Sequence, residues 1–77
     1  MRLLSSIKIN SEHEVATALA LRTYLGFKVQ EAMQLAKCYP REIVFDPPRQ
    51  IPDKYTTDEL KFKLSVGYDI EIKIINT

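Results

Sequence analysis

Residues 24–40 read Tyr24-Leu25-Gly26-Phe27-Lys28-Val29-Gln30-Glu31-Ala32-Met33-Gln34-Leu35-Ala36-Lys37-Cys38-Tyr39-Pro40, and this stretch decides the fold. Val29, Ala32, Met33, Leu35 and Ala36 recur at helical spacing until Pro40, which lacks an N–H and clashes with a preceding helical turn. A short helix is therefore expected over Val29 to Cys38. Gly26 stands where a preceding helix ends, because glycine adopts positive φ without steric cost. Two helices joined by a tight glycine turn make an αα-hairpin.

Upstream, Asn10-Ser11-Glu12-His13-Glu14 carries serine with glutamate three residues on, a capping-box signature that predicts a helix starting at about Glu12. Its apolar stripe reads Val15, Ala18, Leu19 and the stem of Arg22, widened by Leu21 and Leu25, and is expected to pack on a sheet. From Arg2 to Ile9 the run includes Leu3, Leu4, Ile7 and Ile9, and the alternation Ile7-Lys8-Ile9 predicts a strand. Downstream, Arg41 to Phe45 reads as a brief strand. Asp46-Pro47-Pro48-Arg49-Gln50-Ile51-Pro52 then reads as the longest loop, since its prolines cannot donate to a ladder. Thr56-Thr57-Asp58-Glu59 repeats the capping-box signature before Leu60 and Leu64, with Gly67 as the stop. Tyr68, Ile70, Ile72 and Ile74 alternate with Asp69, Glu71 and Lys73, the two-residue period of a strand. The expected architecture is α+β in the order β-α-α-β-α-β, a small antiparallel sheet covered on one face by three helices. No internal repeat or low-complexity tract interrupts it.

At 77 residues the chain forms one domain, spanning 1–77, and buries only ~60% of the surface its unfolded form exposes. Eleven basic and ten acidic side chains nearly cancel, so composition gives no support to a duplex-binding surface, which clusters Lys and Arg against phosphates. A single cysteine, Cys38, cannot form an internal disulfide, which points to a reducing, cytoplasmic setting. The N-terminal Met1-Arg2-Leu3-Leu4 is followed by Ser5, Ser6 and Lys8, too polar for a signal-peptide core or a membrane span. A soluble protein with no membrane association is expected.

The segment from Tyr24 to Ala36, closed by Pro40, resembles the Gly-Leu-Gly-Leu-Lys-Glu-Ala-Lys-Asp-Leu-Val stretch of the C-terminal domain of the bacterial ribosomal stalk protein, with Gly26, Glu31, Ala32, Leu35 and Pro40 at matching places. The chain end is similar too: a capped helix with Leu60 and Leu64, then Gly67 and Asp69-Ile70-Glu71-Ile72-Lys73. With Val15 and Arg22 on the first helix, the likeness spans nearly the whole chain. In that family the first helix and the start of the second recruit translational GTPases through a basic and apolar patch. Arg22 matches the family's arginine, whereas Leu19 and Met33 stand at positions of lysines, and Glu14 falls where another lysine is common. Lys28 replaces the second glycine of the motif. The resemblance therefore implies a contact face made of Val15, Leu19, Arg22, Lys28 and Met33, shifted from basic to apolar and so directed at a different protein partner. The family's dimerisation segment and hinge have no counterpart here, so with Met1 as the start the chain reads as a free-standing copy. The ClpS adaptor of AAA+ proteases is similar in fold, without a residue-by-residue match to its pocket.

Enzymatic chemistry requires a nucleophile beside a base, paired carboxylates in a cleft, or convergent metal ligands. The chain offers one histidine and one cysteine. His13 falls in a first helical turn facing solvent, and Cys38 reads as a small buried apolar group. Glu12 and Glu14 read as complements to a helix dipole, not as an acid/base pair. Gly26 lacks the glycine-rich spacing of a phosphate loop. Lys61, Lys63 and Lys73 read as protection of a sheet edge. No catalytic residue, metal site, cofactor or small-molecule substrate is expected; the expected function is protein binding. The alternatives are a ribosome- or RNA-associated protein using Lys and Arg around the last helix and the long loop, a protease adaptor, or a phage accessory protein that occupies a host protein's surface.

Overall fold

The computed structural model describes residues 2–76. Strand β1 (Arg2–Ile9) leads into helix α1 (Glu14–Leu25), helix α2 (Val29–Lys37), strand β2 (Glu42–Gln50), helix α3 (Thr57–Tyr68) and strand β3 (Ile70–Asn76). The order is the β-α-α-β-α-β expected from the sequence. The three strands form one antiparallel sheet, ordered β2-β1-β3.

The sheet's inner face carries Leu4, Ile7, Ile9, Ile70 and Ile72, all buried and packed with Leu21, Leu25, Leu60 and Leu64 from the helices. Across the central strand Ile7 faces both Ile43 and Ile72, and Ile9 faces Ile70, so one row of branched side chains forms the core floor. On the outer face Lys8 lies directly between Glu42 and Glu71, an opposite-charge arrangement across three strands.

Four local readings change. Helix α1 starts at Glu14, not Glu12, and its N-cap His13 makes no side-chain cap. Ser11 Oγ instead accepts from the His13 N–H at 3.1 Å, and the Ser11 carbonyl accepts from the Arg41 guanidinium at 2.8 Å. Those bonds hold the segment extended, so the Ser11–Glu14 capping box does not form. The stripe of α1 also lies elsewhere. Thr17, Ala18, Ala20, Leu21 and Leu25 are buried, while Val15, Leu19 and Arg22 face outward.

The stretch read as the longest loop is largely strand. Ser6 pairs with Val44 and Leu4 with Arg49, so Phe45 to Pro48 bulge out opposite Ser5 alone, and the ladder resumes at Arg49 and Gln50. The prolines occupy the unpaired detour, where no N–H is needed. Gly67 does not stop α3. The helix continues to Tyr68, and Asp69 caps it in the left-handed region at φ 57°. Asp tolerates that conformation better than most residues.

Two arginines fasten the chain ends of these elements. The Arg41 guanidinium donates to the Ala36 carbonyl at 2.6 Å as well as to Ser11, tying the end of α2 to the entry of α1. The Arg2 guanidinium donates to the Tyr55 carbonyl at 2.7 Å, the Pro52 carbonyl at 3.1 Å and Thr57 Oγ1 at 3.2 Å, fixing the approach to α3. At the start of that helix the Thr56–Glu59 capping box forms in full. Gly26 closes α1 at φ 75°, its N–H donating to the Leu21 carbonyl.

Candidate functional site

Helices α1 and α2 pack against each other across the turn at Gly26, and their outward stripes border one groove. On α1 the outward stripe is Val15, Leu19 and Arg22, spaced four and three residues apart. On α2 it is Val29 and Met33, one turn apart. These side chains border an open groove of about 160 Å³, floored by Ala18 and Ala32. The alanines matter because they let the helices approach while leaving no bulk between the flanking side chains. Val15 is 75% exposed, Leu19 53% and Val29 54%, and Met33 is half-buried at the groove wall.

Of the five residues expected to form a contact face, the fold thus gathers Val15, Leu19, Arg22 and Met33 around one depression. Lys28 is not among them. It is the N-cap of α2, in extended conformation, and lies beside Gln30, Glu31, Gln34 and Arg49 on another surface. Val29 takes the neighbouring place in the groove. Sequence reasoning placed Val29 only within the spacing of the second helix; its four-residue separation from Met33 was the available signal that both share one stripe.

The groove has an electrostatic direction. At its α1 N-terminal end it continues into a shallow surface bordered by Glu12, His13 and Glu14, which shares Val15 and Leu19 with the groove. At the other end stands exposed Arg22, with no hydrogen-bond or ion-pair partner among the described residues. By contrast, the Arg49 guanidinium is engaged. It pairs with Glu31 and lies 4.5 Å from the centroid of buried Phe27, whose ring also packs on Phe45 at 5.7 Å.

Other residues singled out in the sequence are scattered. His13 is exposed, and Cys38 is exposed at the end of α2, not buried as its residue type suggested. The cysteine follows the last helical turn, where the chain leaves the core for Tyr39 and Pro40. Among the described residues no three His, Cys, Asp or Glu side chains converge on a point that could hold a metal ion. No helix among them is long and apolar enough to cross a membrane. Comparison with known proteins finds no family, curated protein or solved structure that matches the chain.

Proposed function

We propose that this chain is a non-catalytic protein-interaction module that binds a protein partner through the groove between α1 and α2. The observation that carries the proposal is the outward apolar rim of Val15, Leu19 and Val29 above Met33, ending at exposed Arg22. Large apolar side chains scattered singly need no explanation on a surface, but a contiguous set flanking a concavity is a feature of partner sites. The volume of about 160 Å³ falls below the ~300–1,000 Å³ of small-molecule pockets. It suits the insertion of apolar side chains from another protein. An acidic residue on that partner meets Arg22, and the surrounding polar rim excludes water from the contact.

The resemblance to the stalk-protein C-terminal domain supports the same face, since the corresponding helices of that family carry its contact patch. Leu19 and Met33 in place of lysines make the patch here apolar, and so favour a partner different from the family's.

The test is capture of a partner by the immobilised chain, comparing the native sequence with the double variant Leu19→Glu/Met33→Glu. Loss of the partner with an unchanged circular-dichroism spectrum is the expected result. A control variant, Phe62→Glu on the exposed face of α3, is expected to retain it. Equal capture by the native chain and the double variant excludes the groove.

A further inference from the structure

The two edges of the sheet differ. Edge strand β2 is blunted by Pro47, Pro48 and the bulge that carries them, devices that keep a strand from pairing with strangers. Edge strand β3, Ile70–Asn76, contains neither proline nor glycine, its one lysine is Lys73, and among the described residues no strand pairs with its outer side; Lys61 and Lys63, read with Lys73 as edge protection, lie on α3. We propose that this free edge pairs antiparallel with the same edge of a second copy of the chain, about a twofold axis through Ile72, joining the two sheets into one.

Of three features of the strand, charge selects the register, and the backbone groups and the isoleucine face suit that occupant. The first is charge. A twofold axis through Glu71 sets Glu71 against its own copy, and an axis through Lys73 does the same for the lysine. An axis through Ile70 sets Asp69 against Glu71, and one through Ile74 sets Lys73 against Ile75. Only the axis through Ile72 sets Glu71 opposite Lys73 of the second copy, twice by symmetry, with exposed groups at both positions. Opposite charges facing across strands stabilise the pair, and like charges there destabilise it.

The second is the direction of the backbone groups. In an antiparallel ladder, successive residues point their N–H and C=O alternately to one neighbour and to the other. The Asn10 N–H donates to the Asp69 carbonyl at 3.0 Å, so Asp69, Glu71 and Lys73 are turned toward β1. Ile70, Ile72 and Ile74 therefore present their N–H and C=O groups to the open edge. An axis through Ile72 lets the two Ile72 residues exchange both hydrogen bonds, with Ile70 and Ile74 doing likewise on either side. It also places Glu71 and Lys73 at the positions where side chains approach most closely. Every register that keeps the isoleucines on one face satisfies these backbone groups, and charge chooses among those registers.

The third is the face. In this register Ile72 meets Ile72 of the second copy and Ile70 meets its Ile74 on the inner side, so the core row of isoleucines runs on across the axis. Above it, Tyr68 packs against Tyr24 at 6.0 Å and holds one flank of α3 to α1. The opposite flank of α3 carries Glu59, Lys63 and exposed Val66, a mixed strip that the second copy's α3 meets in antiparallel orientation.

Sedimentation equilibrium of the native chain tests the proposal. The expected mass is twice the chain mass of 8.9 kDa. Lys73→Glu, a change at an exposed position opposite Ser6, is expected to return the chain mass, because glutamates then face glutamates across the axis. Mixing that variant with Glu71→Lys restores opposite charges at every facing position between unlike chains, and is expected to restore the dimer. Hydrogen exchange of the native chain reads the register without a mutation. The Ile70, Ile72 and Ile74 amides are expected to slow by at least about tenfold as concentration rises through the association range, while Glu71 and Lys73 stay protected throughout. A native chain that remains monomeric up to about 1 mM, a concentration at which a dimer with a free energy of about −4 kcal/mol is populated, overturns the proposal. So does a dimer whose Ile72 amide exchanges freely at every concentration.

Discussion

Gly26 and Gly67 read alike in the sequence, each as a helix stop, and have opposite roles in the fold. Gly26 sits at φ 75°, and a Cβ there would lie 2.9 Å from Pro52 Cγ. Gly67 is inside α3 with open space where a Cβ would stand. Gly67→Ala is therefore expected to raise unfolding free energy by roughly 0.5–1 kcal/mol, the helix-interior cost of glycine. Gly26→Ala is expected to lower it by about 1–2 kcal/mol, from the left-handed backbone alone, with the proline contact adding to the loss. Urea denaturation of both variants measures the pair. A Gly67→Ala chain less stable than the native one would show that α3 ends before that residue. The sequence could not separate the two cases, because a helical pattern followed by glycine is compatible with a cap or with one further turn. What carries α3 past Gly67 is Asp69, whose tolerance of positive φ is not visible in an apolar spacing pattern.

Among the elements, the two capping-box signatures show where local reading reaches and where tertiary contacts override it. Thr56 and Glu59 form their reciprocal bonds, at 3.1 and 3.3 Å, on a helix whose approach is already fixed by Arg2. Ser11 and Glu14 do not, because Arg41 holds the Ser11 carbonyl thirty residues away in the chain. Arg41 had no legible role in the sequence beyond the start of a strand, since its partners are backbone carbonyls that no residue pattern announces. Arg41→Ala is expected to lower the stability of the chain by about 2 kcal/mol, in the range of hydrogen bonds from a charged donor. Arg41→Lys restores only part of this, because an ammonium lacks the planar fork that reaches Ala36 and Ser11 together. Thermal unfolding of the three chains checks the order native, Lys, Ala. Equal melting of the native and alanine forms would show that the clamp contributes nothing.

The strands were the more legible part. The alternation of Ile70, Ile72 and Ile74 places β3, although Tyr68 and Asp69, read into the same alternation, end and cap α3 instead; the inward isoleucines of β1 and β3 meet in the core as their period requires. The second half of β2 was hidden because Pro47 and Pro48 argue against a ladder, and the fold accommodates them by detouring, not by ending the strand. The face of α1 is ambiguous in the sequence for a different reason. Val15, Ala18, Leu19, Ala20, Leu21 and Leu25 spread apolar residues around most of the helix, so spacing alone does not say which side meets the sheet. That breadth is also what leaves an apolar stripe outside after the core is filled.

For the whole molecule, the core is small, and part of the surplus apolar surface lines one concavity. One row of isoleucines under three helices closes the interior, and a domain of this size cannot hide every apolar side chain. The outward residues of α1 and α2 collect around one groove, whereas the free β3 edge lies at the far margin of the sheet, beneath α3. The two surfaces do not overlap, so a chain paired through β3 still presents its groove, and one complex can carry two copies of it. Charge changes at Leu19 and Met33 are accordingly expected to leave the mass of the native assembly unaltered.

The most direct measurement is amide and methyl shift mapping of the isotope-labelled chain against the partner it captures. Perturbations confined to Val15, Leu19, Arg22, Val29 and Met33 and their helical neighbours are the predicted result. A partner that shifts the outer sheet residues Lys8, Val44 and Lys73 while leaving the two helices unmoved would contradict the groove as the binding surface.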